Sequence, residues 1–130
     1  MVRYLFFFFA VCLFFSSGCS SQSVKTSEKG LFHIKLSSEG KLLKFGRNEI
    51  FLHITDAKGK SVEGATVGIT PWMPEHGHGS LWPPTITEKG NGIYRAVIAL
   101  TMAGHWQLRI TIQKGDVEDS AVFDFPNITK

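Results

Sequence analysis

Between Pro71 and Pro84 the chain reads Pro-Trp-Met-Pro-Glu-His-Gly-His-Gly-Ser-Leu-Trp-Pro-Pro, and its candidate chemistry concentrates there. Met73, Glu75, His76 and His78 stand close together, flanked by Trp72 on one side and by Leu81 and Trp82 on the other. A second set, Met102 and His105, lies in Thr101-Met102-Ala103-Gly104-His105-Trp106. Thioether sulfur suits Cu(I), and imidazole nitrogen suits both oxidation states of copper. Met73, His76 and His78, joined by Met102 or His105, are therefore candidate ligands of one copper ion. The same segment supports a different use. A His-Gly-His pair also fits a solvated turn, and Trp72, Leu81 and Trp82 beside prolines suit a contact with another protein. Two histidines at one spacing are a far weaker pattern than a four-ligand zinc motif, so both functions stay open. An enzyme is not expected: no serine sits in a nucleophile elbow, and Glu75 would act as a base only beside a metal.

The elements that hold these residues are legible as alternation with period two. Phe32, Ile34 and Leu36 form one apolar set, and Ile50, Leu52 and Ile54 a second. Val67 and Ile69 follow, then Tyr94, Ala96, Ile98 and Leu100, with Met102 continuing that phase. Trp106, Leu108, Ile110 and Ile112 make the most regular run, and Ala121, Phe123 and Phe125 close the series. His33 and His53 fall on the polar phase and are expected to face solvent. Gly-containing turns separate the runs at Glu39–Lys41, Ala57–Lys60, Lys89–Gly92 and Lys114–Asp116. With a short strand at Thr85–Thr87 this predicts about seven strands. The expected fold is all-β, an immunoglobulin-like antiparallel sandwich, with a small barrel as the competing architecture. The prolines and glycines of 71–84 predict a loop at one end of it.

The chain opens differently. Arg3 precedes an uncharged apolar run from Leu5 to Phe15, shorter than the roughly 20 residues a membrane span needs. Ser16-Ser17-Gly18 then leads to Cys19, the grammar of a secretory signal. Gly-Cys after such a run resembles the lipobox of bacterial lipoproteins, although Ser16 stands where Leu is usual. The expected organisation is a signal peptide over 1–18, a lipidated Cys19 with a flexible tether over 19–30, and one domain over 31–130. Removing Arg3 takes the formal charge from +3 to +2, too little for the basic patch of a nucleic-acid binder. Both cysteines, Cys12 and Cys19, precede the domain, which therefore has no disulfide to lean on. Asn127-Ile128-Thr129 matches a glycosylation sequon, which means little in a bacterial-type lipoprotein.

Met73-Pro74-Glu75-His76-Gly77-His78-Gly79, then Gly92-Ile93-Tyr94, then Met102-Ala103-Gly104-His105-Trp106 resembles the FixH/YtkA-like family of extracytoplasmic domains. Gly64-Ala65-Thr66-Val67 matches a further strand of that pattern, and the resemblance runs from about Ile50 to Ile112. It implies an immunoglobulin-like sandwich linked to copper supply, with an envelope protein or a copper-dependent oxidase as partner. Two features depart from it. His76 stands where a second Met is common, which shifts a site toward nitrogen, and a lipid replaces the transmembrane anchor of FixH proper. By resemblance to lipoprotein sorting signals, Ser20 after Cys19 points to the outer membrane facing the periplasm in a Gram-negative cell. In a Gram-positive cell the same signal means the outer face of the plasma membrane.

Overall fold

The computed structural model describes residues 20–130, and the signal segment and Cys19 lie outside them. Nine strands form two antiparallel sheets. They are β1 (Ser20–Thr26), β2 (Phe32–Glu39), β3 (Gly46–Asp56), β4 (Thr66–Met73), β5 (His78–Gly79), β6 (Thr85–Gly90), β7 (Ile93–Leu100), β8 (Gly104–Lys114) and β9 (Val117–Ile128). One sheet has the order β1-β2-β3-β7-β6 and the other β5-β4-β8-β9. Leaving β1 aside, these orders are those of the ABED and C′CFG sheets of an immunoglobulin sandwich. The expected fold class holds, and two separate sheets exclude the closed barrel.

The apolar phases read from the sequence are the ones that face inward. Ile34, Leu36, Ile50, Leu52, Ile54, Trp106, Leu108, Ile110 and Ile112 are all fully buried between the sheets. A strand puts alternate side chains on opposite faces, so each run buries one row and leaves the other outside. His33 and His53 sit on those outer rows, half-buried, beside Thr26 and Ser61 respectively. Trp106 is the largest fully buried side chain. Its indole nitrogen donates to the Met102 carbonyl at 2.9 Å, which meets the need of a buried N–H for a partner.

Three expectations need correction. Ser20–Thr26, read as tether, is an edge strand in register with β2 from Ser20↔Glu39 to Thr26↔His33. The 71–84 segment is not all loop, because β4 runs through Pro71 and Trp72 to Met73 and then folds back as β5. Proline is tolerated in that strand because its carbonyl side faces the two-residue β5 rather than β8. Met102 does not continue the inward phase of β7. That strand ends at Leu100, and Met102 is exposed in the turn before β8.

Candidate functional site

The β4–β5 hairpin and the β7–β8 turn meet at one end of the sandwich. β4 pairs with β8 up to Trp72↔Gln107, so Met73 and its following turn lie beside the first residues of β8. In that turn the amides of His76 and Gly77 both donate to the Met73 carbonyl, at 3.2 and 2.9 Å. Gly79 permits the close return of β5: a Cβ there would fall 2.5 Å from the Pro71 carbonyl oxygen.

The sequence-derived ligands separate into three groups. Met73 is fully buried, and its methyl packs against Gly104, where a Cβ would lie 3.1 Å away. Its sulfur therefore belongs to the core. His105 is held from both sides: Nδ1 donates to Glu75 Oε1 and Nε2 to Asp124 Oδ1, each at 2.6 Å. Its hydrogen bonds to Glu75 first and Asp124 second raise the His105 pKa above its ordinary value. The same contacts hold both carboxylates below theirs, with Gln107 Nε2 donating to Asp124 at 3.1 Å as well. With both ring nitrogens committed to carboxylates on opposite sides, His105 presents no lone pair to a metal.

His76 and His78 form the third group. Both are exposed on the hairpin, their ring centroids are 5.7 Å apart, and the planes are tilted by 40°. His78 Nδ1 donates to the Gly79 carbonyl at 3.0 Å, which leaves Nε2 as the nitrogen with a free lone pair. Metal–nitrogen bonds of about 2.0–2.1 Å let two imidazoles share one ion when their centroids are no more than roughly 6.5 Å apart. The pair is within that reach. Met102, exposed on the adjacent turn, is the thioether at this end that is open to solvent. Among the described residues, no three His, Cys, Asp or Glu side chains converge as a metal-holding group. A site here would rest on two imidazoles and sulfur.

The expected contact residues also divide. Trp72 lies on the outer face of the β5-β4-β8-β9 sheet, in a cleft with Thr70, Gln107, Arg109 and Val122. Leu81 and Trp82 instead project from the segment between β5 and β6, 88% and 66% exposed.

The family model described as YtkA-like matches residues 26–111, well over half of the chain. The chain belongs to the YtkA-like family. No curated protein and no solved structure matches it significantly. The sequence named Glu75 but did not reveal its pairing with His105, nor the part played by Asp124 and Gln107. Glu75 and Asp124 stand 30 and 19 residues from His105 along the chain, and the β8–β9 pairing that brings Asp124 across from Gln107 is a property of register. The one usable signal was phase. His105 and Gln107 alternate with Trp106 and Leu108, so both had to be on the outer face of β8.

Proposed function

We propose that this YtkA-like domain is a non-enzymatic, extracytoplasmic copper-binding module, tethered to a membrane through a lipidated Cys19. The observation that carries the copper reading is the His76–His78 pair: two exposed imidazoles 5.7 Å apart, one with its tautomer set by a backbone carbonyl. Met102 is the sulfur that would join them, in place of the buried Met73. His105 acts through position, holding Glu75 and with it the hairpin turn. Copper fits this donor set better than zinc does, since imidazole beside thioether accommodates Cu(I). Export to an oxidising compartment agrees with a ligand set free of thiolate. A copper-dependent oxidase or another envelope protein is the partner class this implies, with no role for nucleic acid.

The test is titration of the protein with Cu(I), Cu(II) and Zn(II) in parallel. His76→Ala with His78→Ala should abolish copper binding, Met102→Leu should weaken Cu(I) more than Cu(II), and Met73→Leu should leave affinity unchanged. Wild-type affinity in the double-histidine variant would refute the reading. A metal-free interaction module would then stand first, favoured by the exposure of Leu81 and Trp82.

A further inference from the structure

The strand that replaces the tether has a geometric consequence at the same end of the molecule. Ser20 pairs with Glu39. Extending the β2–β3 register beyond Ser37↔Phe51 by two residues puts Glu39 level with Glu49. Glu49 pairs with Val97, and Val97 with Thr85. Ser20 and Thr85 therefore stand on one row, at the two edges of the five-stranded sheet. Past that row β3 and β7 continue to the Gly46↔Leu100 pair, an overhang of about 10 Å at the usual strand rise. Cys19 directly precedes Ser20 in the chain.

An anchor at Cys19 thus leaves no slack. The end of the sandwich reaches about 10 Å beyond the Ser20 row, one peptide unit from the anchor residue, a distance of the same order as the headgroup layer of about 5–8 Å on each side of a bilayer. Four of the large apolar side chains that the fold leaves exposed are at this end: Phe45, Leu81, Trp82 and Met102. Trp82 and Arg47 line one shared, mainly apolar cleft with Pro83 and Val97. Lys41, Lys44 and Arg47 line a neighbouring cleft with Glu39 and Glu49, of which Glu49 is paired with Arg95 at 2.5 Å. Lys130 lies over the Phe45 ring, 5.6 Å from its centroid. Aromatic side chains interleaved with cations are the composition that settles at a membrane–water interface carrying anionic lipid.

We propose that this end of the sandwich is a membrane-docking surface. Trp82 and Leu81 insert at headgroup level, Lys44, Arg47 and Lys130 face anionic lipid, and the His76–His78 pair is held close to the bilayer. The proposal rests on the Cys19 anchoring proposed above, and its test reads the two separately. The full-length protein, purified with its processed N-terminus, is reconstituted in vesicles of phosphatidylethanolamine and phosphatidylglycerol, with or without bromine on the acyl chains. Flotation reads anchoring, and quenching of tryptophan emission by bromine reads docking. Wild type should float and lose the Trp82 share of its emission, Trp82→Phe should float with no such loss, and Leu81→Asp should float with reduced quenching. Equal quenching in wild type and Trp82→Phe overturns docking and leaves anchoring intact. A wild-type protein that does not float overturns both. Trp82 that stays unquenched on protein-free vesicles but becomes protected in native envelope membranes assigns the surface to a protein partner and overturns the proposal.

Discussion

At the end of the sandwich away from the hairpin, polar groups of successive turns are tied to one another across the fold. The buried Asp119 carboxylate accepts the amides of Lys29 and Leu31, joining the β1–β2 turn to β9. The Tyr94 hydroxyl donates to the Val62 carbonyl at 2.9 Å and accepts the Ala65 amide, pinning the β3–β4 connection. Glu88 and Glu63 accept the amides of Gly64 and Asn91. At the hairpin end the segment between β5 and β6 has Ser80 accepting the Trp82 amide and leaves Leu81 and Trp82 in solvent. Function needs groups with unsatisfied valences or uncovered surface, and stability needs the reverse. The far end is built to close the fold, and the hairpin end, although tied through Asn48 and His105, also offers imidazole, sulfur and indole.

That contrast has a floor, because the core beneath the hairpin end is closed to solvent. Trp106 and Met73 are both fully buried there. Trp106→Ala should cost about 3–5 kcal/mol, the largest single effect expected, read by thermal or denaturant unfolding. An unchanged melting temperature would mean that the hairpin end is open through to its core. The next effect belongs to the closed end. Asp119→Ala strands the Lys29 and Leu31 amides and should cost about 1–3 kcal/mol, while copper affinity stays at the wild-type level. A loss of affinity in this variant would break the division of labour between the two ends.

The inward rows were legible because burial imposes period two on residue type, and Trp106 to Ile112 needed no more than that. β1 was not legible. Ser20-Ser21-Gln22-Ser23 carries no apolar row, and its one large apolar side chain, Val24, is exposed on an edge strand. Such a strand is held by pairing with β2, which leaves no mark on its own sequence. Pro71 misled in the opposite direction, since a proline excludes a strand only where its missing N–H would face a partner. In the candidate site the residue types were readable and their allocation was not. His76, His78 and His105 look alike in the sequence, and Glu75 and Asp124, brought to His105 by tertiary structure, set it apart.

The His105 bridge gives the contrast a pH dependence. Its carboxylate partners raise the His105 pKa in the folded protein above the ordinary 6.5. Stabilisation is therefore complete below the unfolded value and is lost as pH rises through the folded one. Glu75 and Asp124, lowered by the same contacts, contribute above their unfolded values and lose that contribution as pH falls through the folded ones. The bridge should thus be strongest between the unfolded carboxylate values, about 4, and the unfolded histidine value, about 6.5. Melting temperature of chelator-treated protein should decline as pH rises from about 6.5. The decline should be shallower in His105→Gln. Parallel curves for the two proteins would show that His105 carries none of it.

The smallest expected effect on stability comes from Gly79→Ala, and it is the sharpest test of what the hairpin is for. The new methyl would sit 2.5 Å from the Pro71 carbonyl oxygen, so β5 must move away from β4. β5 is an edge strand of two residues, joined to the sheet through Trp72↔Gly79 and Met73↔His78 alone. It can swing outward without disturbing the buried rows, at a cost below about 1 kcal/mol. The same movement carries His78 and the Gly79 carbonyl together and changes the spacing of His78 from His76, whose amide stays bonded to Met73. Copper affinity should consequently fall while the melting temperature holds. Equal copper affinity in Gly79→Ala and wild type would show that the pair needs no preset spacing. Binding would then depend on exposure of the two imidazoles, with the hairpin serving only to keep them out of the core.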